Sequence, residues 1–186
     1  MKTLMTRRFS VLVVLLTGLS RALAAQPAAP SGPIITTETP HLTLMAVASH
    51  AEVTPGTRLS LMFDITPRPS IHIYAPGKHT YQVVKVTIES RPWLRAHPMT
   101  YPPSEIYHFK PLDERVPVYH KPFQLVQNVS LLATPAARKA LAGQTHVTIT
   151  GRLEYQACDD TVCYRPASVP VSWTVRLNPG EARPPA

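Results

Sequence analysis

Cys158 and Cys163 are the only cysteines in the chain, and four residues, Asp-Asp-Thr-Val, separate them. Such a pair can staple a turn, supply half of a metal site, or form a disulfide that opens and closes by thiolate attack. A structural zinc site needs a second pair of ligands, and none of the eight histidines forms a pair at ligand spacing, so no metal is expected. Closing a loop of about 100 residues stabilises a fold by roughly 4.7 kcal/mol in the chain-entropy model, whereas a six-residue ring yields only about 2 kcal/mol. Stability is therefore a weak motive for this bridge, although spacing alone leaves both the staple and the redox pair open. Arg165 lies two residues beyond Cys163, while Asp159 and Asp160 follow Cys158 directly. Like charges disfavour a thiolate, so Cys163 is the expected attacker. No serine stands in a Gly-x-Ser-x-Gly setting, which leaves serine hydrolysis without support.

The elements that must position this pair are short strands. There are 21 prolines in 186 residues, and interior prolines break long helices. Leu42 and Leu44 alternate with polar neighbours, as do Leu59, Leu61, Phe63 and Ile65, with the turn signal Thr54-Pro55-Gly56-Thr57 between them as a tight connection. Ile71 and Ile73, then Val84, Val86 and Ile88, mark two further strands. Seven prolines and five aromatic residues interrupt the pattern from Arg91 to Pro122, which reads as a long loop region with one short strand near Val116 to Tyr119. After Phe123 to Leu131, Thr134 and Pro135 open a short helix that Gly143 stops. Two strong alternations follow, Val147 to Tyr155 and Val169 to Leu177, with the cysteines at the tip of the hairpin they form. This rhythm predicts an all-β, antiparallel β-sandwich, with a closed barrel as the alternative.

The N-terminus carries Lys2, Arg7 and Arg8 before the apolar run Phe9 to Leu19, then Ala22-Leu23-Ala24, the pattern of a cleaved signal peptide over residues 1–24. That run has 11 residues, and a spanning helix needs about 20, so no permanent membrane anchor is expected. Arg7-Arg8 leaves the export route open. Residues 25–40 read as a flexible leader, 41–178 as the domain and 179–186 as a disordered tail. Residues 1–24 hold four basic and no acidic side chains, so removing them takes the net charge from +8 to +4. No basic run interleaves with aromatics, which argues against nucleic acid as a partner. Export would place the cysteines where disulfides persist.

At Tyr155-Gln156-Ala157-Cys158-Asp159-Asp160-Thr161-Val162-Cys163-Tyr164-Arg165-Pro166 the chain resembles the N-terminal periplasmic domain of the thiol:disulfide interchange protein DsbD. His72-Ile73-Tyr74-Ala75 is similar to that family's aromatic strand beside its active site, and Tyr101-Pro102-Pro103 and Val118-Tyr119 resemble the flanks of its cap loop. The resemblance runs from about His41 to Leu177, with Ile71 standing where the family often has an aromatic residue. It implies an immunoglobulin-like sandwich with a proline- and aromatic-rich cap-loop region and a reversible disulfide as the only redox centre, without a cofactor. It also implies that Cys163 forms the mixed disulfide, and that electrons pass between periplasmic thioredoxin-like oxidoreductases. Tyr155, Tyr164, His72 and Tyr74 become candidates to shape the site, and Phe109 a candidate cap over the disulfide. The sequence ends at Ala186 without the family's membrane-embedded carrier or C-terminal thioredoxin-like domain, so the electron donor is expected to be a separate protein. The competing expectation is an immunoglobulin-like adaptor whose bridge only holds a recognition hairpin.

Overall fold

Period-two alternation needs two buried faces to meet, and the longest strands supply them. The structure, a computed structural model, describes residues 30–110 and 113–178. The expected signal peptide and tail, and residues 25–29 of the leader, lie outside the described residues. The strands are β1 Ile34–Glu38, β2 Leu42–Ala48, β3 Glu52–Val53, β4 Arg58–Pro67, β5 His72–Tyr74, β6 Lys85–Ile88, β7 Leu94–Thr100, β8 Glu105–Phe109, β9 Glu114–Tyr119 and β10 Phe123–Leu131. Helix α1 spans Pro135–Leu141, and β11 His146–Tyr155, β12 Ala157–Cys158 and β13 Ala167–Leu177 complete the chain.

One sheet has the order β1-β2-β4-β10-β7 and the facing sheet β3-β13-β11-β6, giving an immunoglobulin-like β-sandwich. Pairing is antiparallel except where β3 meets β13. Leu59, Leu61, Phe63 and Ile65 of β4 are buried against Val169, Val171, Trp173 and Val175 of β13 in a single core. Phe63 meets Trp173 edge to face across the sandwich, with centroids 5.6 Å apart. A third sheet, β12-β5-β9-β8, sits where β4 leads into β5 and β11 leads into β12. It has its own small cluster, in which Tyr74, Val116, Val118 and Cys158 pack with Tyr81 and Tyr107.

Three expectations need correction. Ile34–Glu38, placed by composition in the leader, pairs along its whole length with β2, so its Ile and Thr residues act as an edge strand. The link between β2 and β4 is no tight turn, because β3 crosses to the other sheet before Gly56, at φ 99°, turns the chain into β4. The stretch from Arg91 to Pro122 is mostly sheet, holding β7, β8 and β9. Pro98 is accommodated because β7 is an edge strand with a bulge, where His97 and Pro98 face Asn128 alone. The buried Gln127 amide donates to the His97 carbonyl at that bulge, at 2.5 Å. Pro117 in β9 offers its carbonyl to the Ala75 amide, 3.0 Å away just beyond the end of β5, and the Ala75 carbonyl that its missing N–H leaves unserved lies 2.8 Å from His79 Nε2.

Helix α1 is capped by Thr134, whose hydroxyl accepts from the Ala137 amide, and Gly143 follows at φ 74°. Among the described residues no helix is long and apolar enough to cross a membrane. Trp173 is fully buried against Phe63, so Trp173→Ala is expected to lower unfolding stability by about 3 to 5 kcal/mol, read by urea titration of the oxidised protein. A loss under about 1 kcal/mol would show that this contact does not anchor the two sheets.

Candidate redox site

The disulfide loop is a small hairpin in its own right. The Tyr164 amide donates to the Ala157 carbonyl and the Asp159 amide to the Val162 carbonyl, both at 2.9 Å, which brings Cys158 and Cys163 face to face. Their Cα atoms lie 4.2 Å apart and their sulfurs are bonded. Asp159 folds back over the turn: its Oδ1 accepts from the Thr161 amide, the Thr161 hydroxyl and the Val162 amide, and its Oδ2 from the Tyr164 hydroxyl. These donors, the Thr161 amide foremost, hold the Asp159 carboxyl far below the usual carboxylate range.

The two sulfurs sit in unlike places. Cys158 is 1% exposed and pairs with His72 across β12 and β5, whereas Cys163 is open to solvent. The Tyr74 hydroxyl lies 3.0 Å from Cys158 Sγ and 3.5 Å from Cys163 Sγ. Bonded sulfurs carry no proton, so Tyr74 is the donor to both. Burial, then Tyr81 and Glu114 nearby, push the Tyr74 phenol well above its ordinary pKa, so it stays a neutral donor. Tyr81 stacks on it with centroids 4.1 Å apart and donates its own hydroxyl to Glu114 at 2.6 Å.

The β8–β9 hairpin closes the other side. Tyr107 donates to Asp160 Oδ1 at 2.5 Å, tying the hairpin to the disulfide loop, and that bond first, then burial, pushes its phenol to about 12. The buried His72 ring lies 4.3 Å from the Tyr107 ring and edge-on to Tyr74. Burial lowers its pKa, and Asp160 and Asp159 oppose that shift. Cavities open on both sides of the Tyr107–Asp160 bond. One, of about 270 Å³, is lined by Ser70, Ile71, His72 and His120, and the other, of about 340 Å³, by His108, Phe109 and Lys110.

Of the expected site residues, the structure gathers Cys158, Cys163, His72 and Tyr74. Tyr164 is half-buried and serves the loop through Asp159. Tyr155 belongs instead to the main core, with its hydroxyl 3.1 Å from Thr39 Oγ1, because the inward face of β11 points between the sheets. Phe109 ends a strand rather than lying in a loop, and it forms a cavity wall together with Asp160. Tyr107 carries no mark in the sequence beyond the strand alternation that puts it on the same face as Phe109. Nothing in the sequence around Tyr81 marks it, since its place depends on the packing of the Pro76 to Val83 connection. Among the described residues no group of three or more His, Cys, Asp or Glu side chains is arranged to hold a metal ion.

Two measurements test this geometry. A hydrogen bond to a charged group contributes about 1.5–3 kcal/mol, so Tyr74→Phe should slow dithiothreitol reduction of the disulfide by roughly 10-fold or more, as the departing Cys158 sulfur loses its donor. An unchanged rate would remove Tyr74 from the reaction. Because the folded Asp159 pKa is depressed, its stabilisation is complete above the ordinary value near 3.9 and is lost as pH falls through the folded value. The Asp159 carboxyl carbon should therefore titrate by NMR well below that ordinary midpoint, and an ordinary midpoint would mean the turn bonds are absent in solution.

The model of the family described as thiol:disulfide interchange protein DsbD, N-terminal, matches residues 43–172. No curated protein matches the chain. Among solved structures, the N-terminal periplasmic domain of ScsB from Proteus mirabilis aligns with a TM-score of 0.51 at 13% identity, over 83% of this chain and 55% of that one. The chain thus spans about half the length of that structure. The reduced DsbD N-terminal domain of Neisseria meningitidis aligns with a TM-score of 0.43 at 16% identity, over 73% of this chain and 90% of that one. The first alignment concerns the fold alone, and the family match covers both the cysteine hairpin and β5 beside it. The chain belongs to the family of the N-terminal domain of thiol:disulfide interchange protein DsbD.

Proposed function

We propose that the chain exchanges disulfides through Cys158 and Cys163, relaying electrons between thioredoxin-like oxidoreductases in the periplasm. The observation that carries this reading is the asymmetry of the pair, an exposed Cys163 bonded to a buried Cys158 that already has a hydrogen-bond donor in Tyr74. A donor thiolate reaches Cys163 Sγ, the S–S bond breaks, and its electron pair goes to Cys158 Sγ, where the Tyr74 hydroxyl stabilises the new thiolate until it takes a proton from solvent. The donor's second thiol, once deprotonated, attacks the donor's own bridging sulfur and releases Cys163 as a thiolate, which takes the second proton from solvent. Two electrons and two protons have then moved, leaving the donor as a disulfide and this chain as a dithiol. Passing them on reverses the steps, with the Cys163 thiolate attacking the acceptor's disulfide and Cys158 resolving the mixed disulfide.

The partners are inferred from the family. The export pattern of residues 1–24 supports a periplasmic location, where the pair can be reoxidised. Asp159 and Asp160 place negative charge beside the loop and Arg165 is exposed, consistent with Cys163 rather than Cys158 as the thiolate that attacks.

Redox titration of the purified protein should give a potential between about −270 and −120 mV, the span from thioredoxin to DsbA, and a value well below about −300 mV would return the bridge to a structural staple. Cys158→Ser should leave Cys163 free to trap a thioredoxin-like partner as a mixed disulfide on a non-reducing gel, and Cys163→Ser should trap far less. Equal trapping by both variants would sink the assignment of roles.

A further inference from the structure

Six hydrogen bonds join residues of the loop from Ala157 to Tyr164 to one another and none of the six involves sulfur, while from outside the Tyr74 hydroxyl reaches both sulfurs and the Tyr107 hydroxyl reaches Asp160. Two join backbone groups, Tyr164 to Ala157 and Asp159 to Val162. The other four converge on one side chain, Asp159, from the Thr161 amide and hydroxyl, the Val162 amide and the Tyr164 hydroxyl, all between 2.7 and 2.8 Å. The loop is also fixed at its ends. β12 is paired to β5, and the Gln156 side-chain Nε2 donates to the Tyr164 carbonyl at 3.1 Å. Breaking the S–S bond removes none of these contacts. We infer that Asp159 is a positioning residue for disulfide exchange: it keeps the hairpin closed in the dithiol as in the disulfide, and so sets how strongly the pair re-forms its bond.

The physical link is effective concentration. Two thiols held face to face close with a far higher effective molarity than two on a loose loop, and the equilibrium between dithiol and disulfide moves in proportion. A clamp that survives reduction therefore makes the disulfide more stable and its potential more negative. Without the Asp159 carboxylate the Thr161 and Val162 amides lose their acceptor, the turn samples open conformers after reduction, and the disulfide becomes easier to reduce. The effect is geometric. An Asn side chain keeps an acceptor oxygen for both amides while removing the charge.

The inference rests on reading Cys158–Cys163 as a bond that opens and closes, but its test does not depend on any partner. The protein, Asp159→Ala and Asp159→Asn are each equilibrated with dithiothreitol, which gives two electrons and two protons to the disulfide and closes to its own cyclic disulfide. The Asp159→Ala equilibrium should shift toward the dithiol by about 10-fold to 100-fold, a potential about 30 to 60 mV less negative. Asp159→Asn should stay within about threefold of the unsubstituted protein. An Asp159→Ala shift under threefold would overturn the inference, as would an Asp159→Asn shift equal to that of Asp159→Ala, which would assign the effect to charge. Should Asp159→Ala fail to fold, amide exchange in the reduced unsubstituted protein decides: Thr161 and Val162 should remain protected, and exchange at the rate of a free chain would overturn the clamp. A potential outside the carrier range would remove the proposed function while leaving the comparison of variants intact.

Discussion

Two residues of pairing between β12 and β5 attach the disulfide to the body of the protein. His72 faces Cys158 and Ile73 faces Ala157 across that ladder. Both strands are continuations: β4 feeds β5 through a turn at Ser70, and β11 feeds β12 through Gln156. The stiffness of the sandwich, set by the long β11–β13 and β4–β10 ladders, is thereby passed to a site beyond its end. The pairing also makes the two sulfurs unequal, because it buries Cys158 against Tyr74 and leaves Cys163 on the outer arm of the hairpin.

Around this attachment the charges follow a common pattern. Asp159, Asp160 and Glu114 each accept the hydroxyl of a tyrosine, namely Tyr164, Tyr107 and Tyr81. Each phenol holds its proton more tightly for this bond, which is the largest cause of the upward shift at Tyr107, Tyr81 and Tyr164 alike. The site thus holds acidic groups close to the sulfurs without burying an unpaired charge. It also supplies a neutral donor, Tyr74, where a thiolate would form. In the proposed exchange a hydrogen bond from Tyr74 stabilises the thiolate, in a loop whose nearest charges are negative.

The strands that were legible from sequence are those whose two faces differ. In β4, β11 and β13 one face meets the core and the other meets water, so the alternation is visible residue by residue. From Arg91 to Pro122 that contrast fails. β7 is an edge strand that bulges around Pro98, and the face of β8 that carries Tyr107 packs on the disulfide loop instead of the main core. Proline counts mislead in such strands, since an edge or a strand end leaves the missing donor without a partner to disappoint. At the site, spacing marks the cysteines and the resemblance marks His72 and Tyr74. Tyr155 shows the limit of inferring a role from neighbours in sequence: three residues from Cys158, it points the other way, into the space between the sheets.

A disulfide that must open repeatedly cannot also be what holds the domain together, and here the two tasks are separated. Closing a six-residue ring stabilises a folded chain by only about 2 kcal/mol in the chain-entropy model, against about 5–15 kcal/mol for the total stability of a typical domain. The core between the sheets is complete without either sulfur, and Cys158 belongs to the smaller cluster of the third sheet. Neither sulfur belongs to the core between the sheets, so the bond can open without removing a contact from that core. A bridge spanning the core between distant strands would contribute more to stability, and its reduction would release the strands it ties. The short ring at the end of the sandwich is the arrangement in which redox change and folding are least coupled.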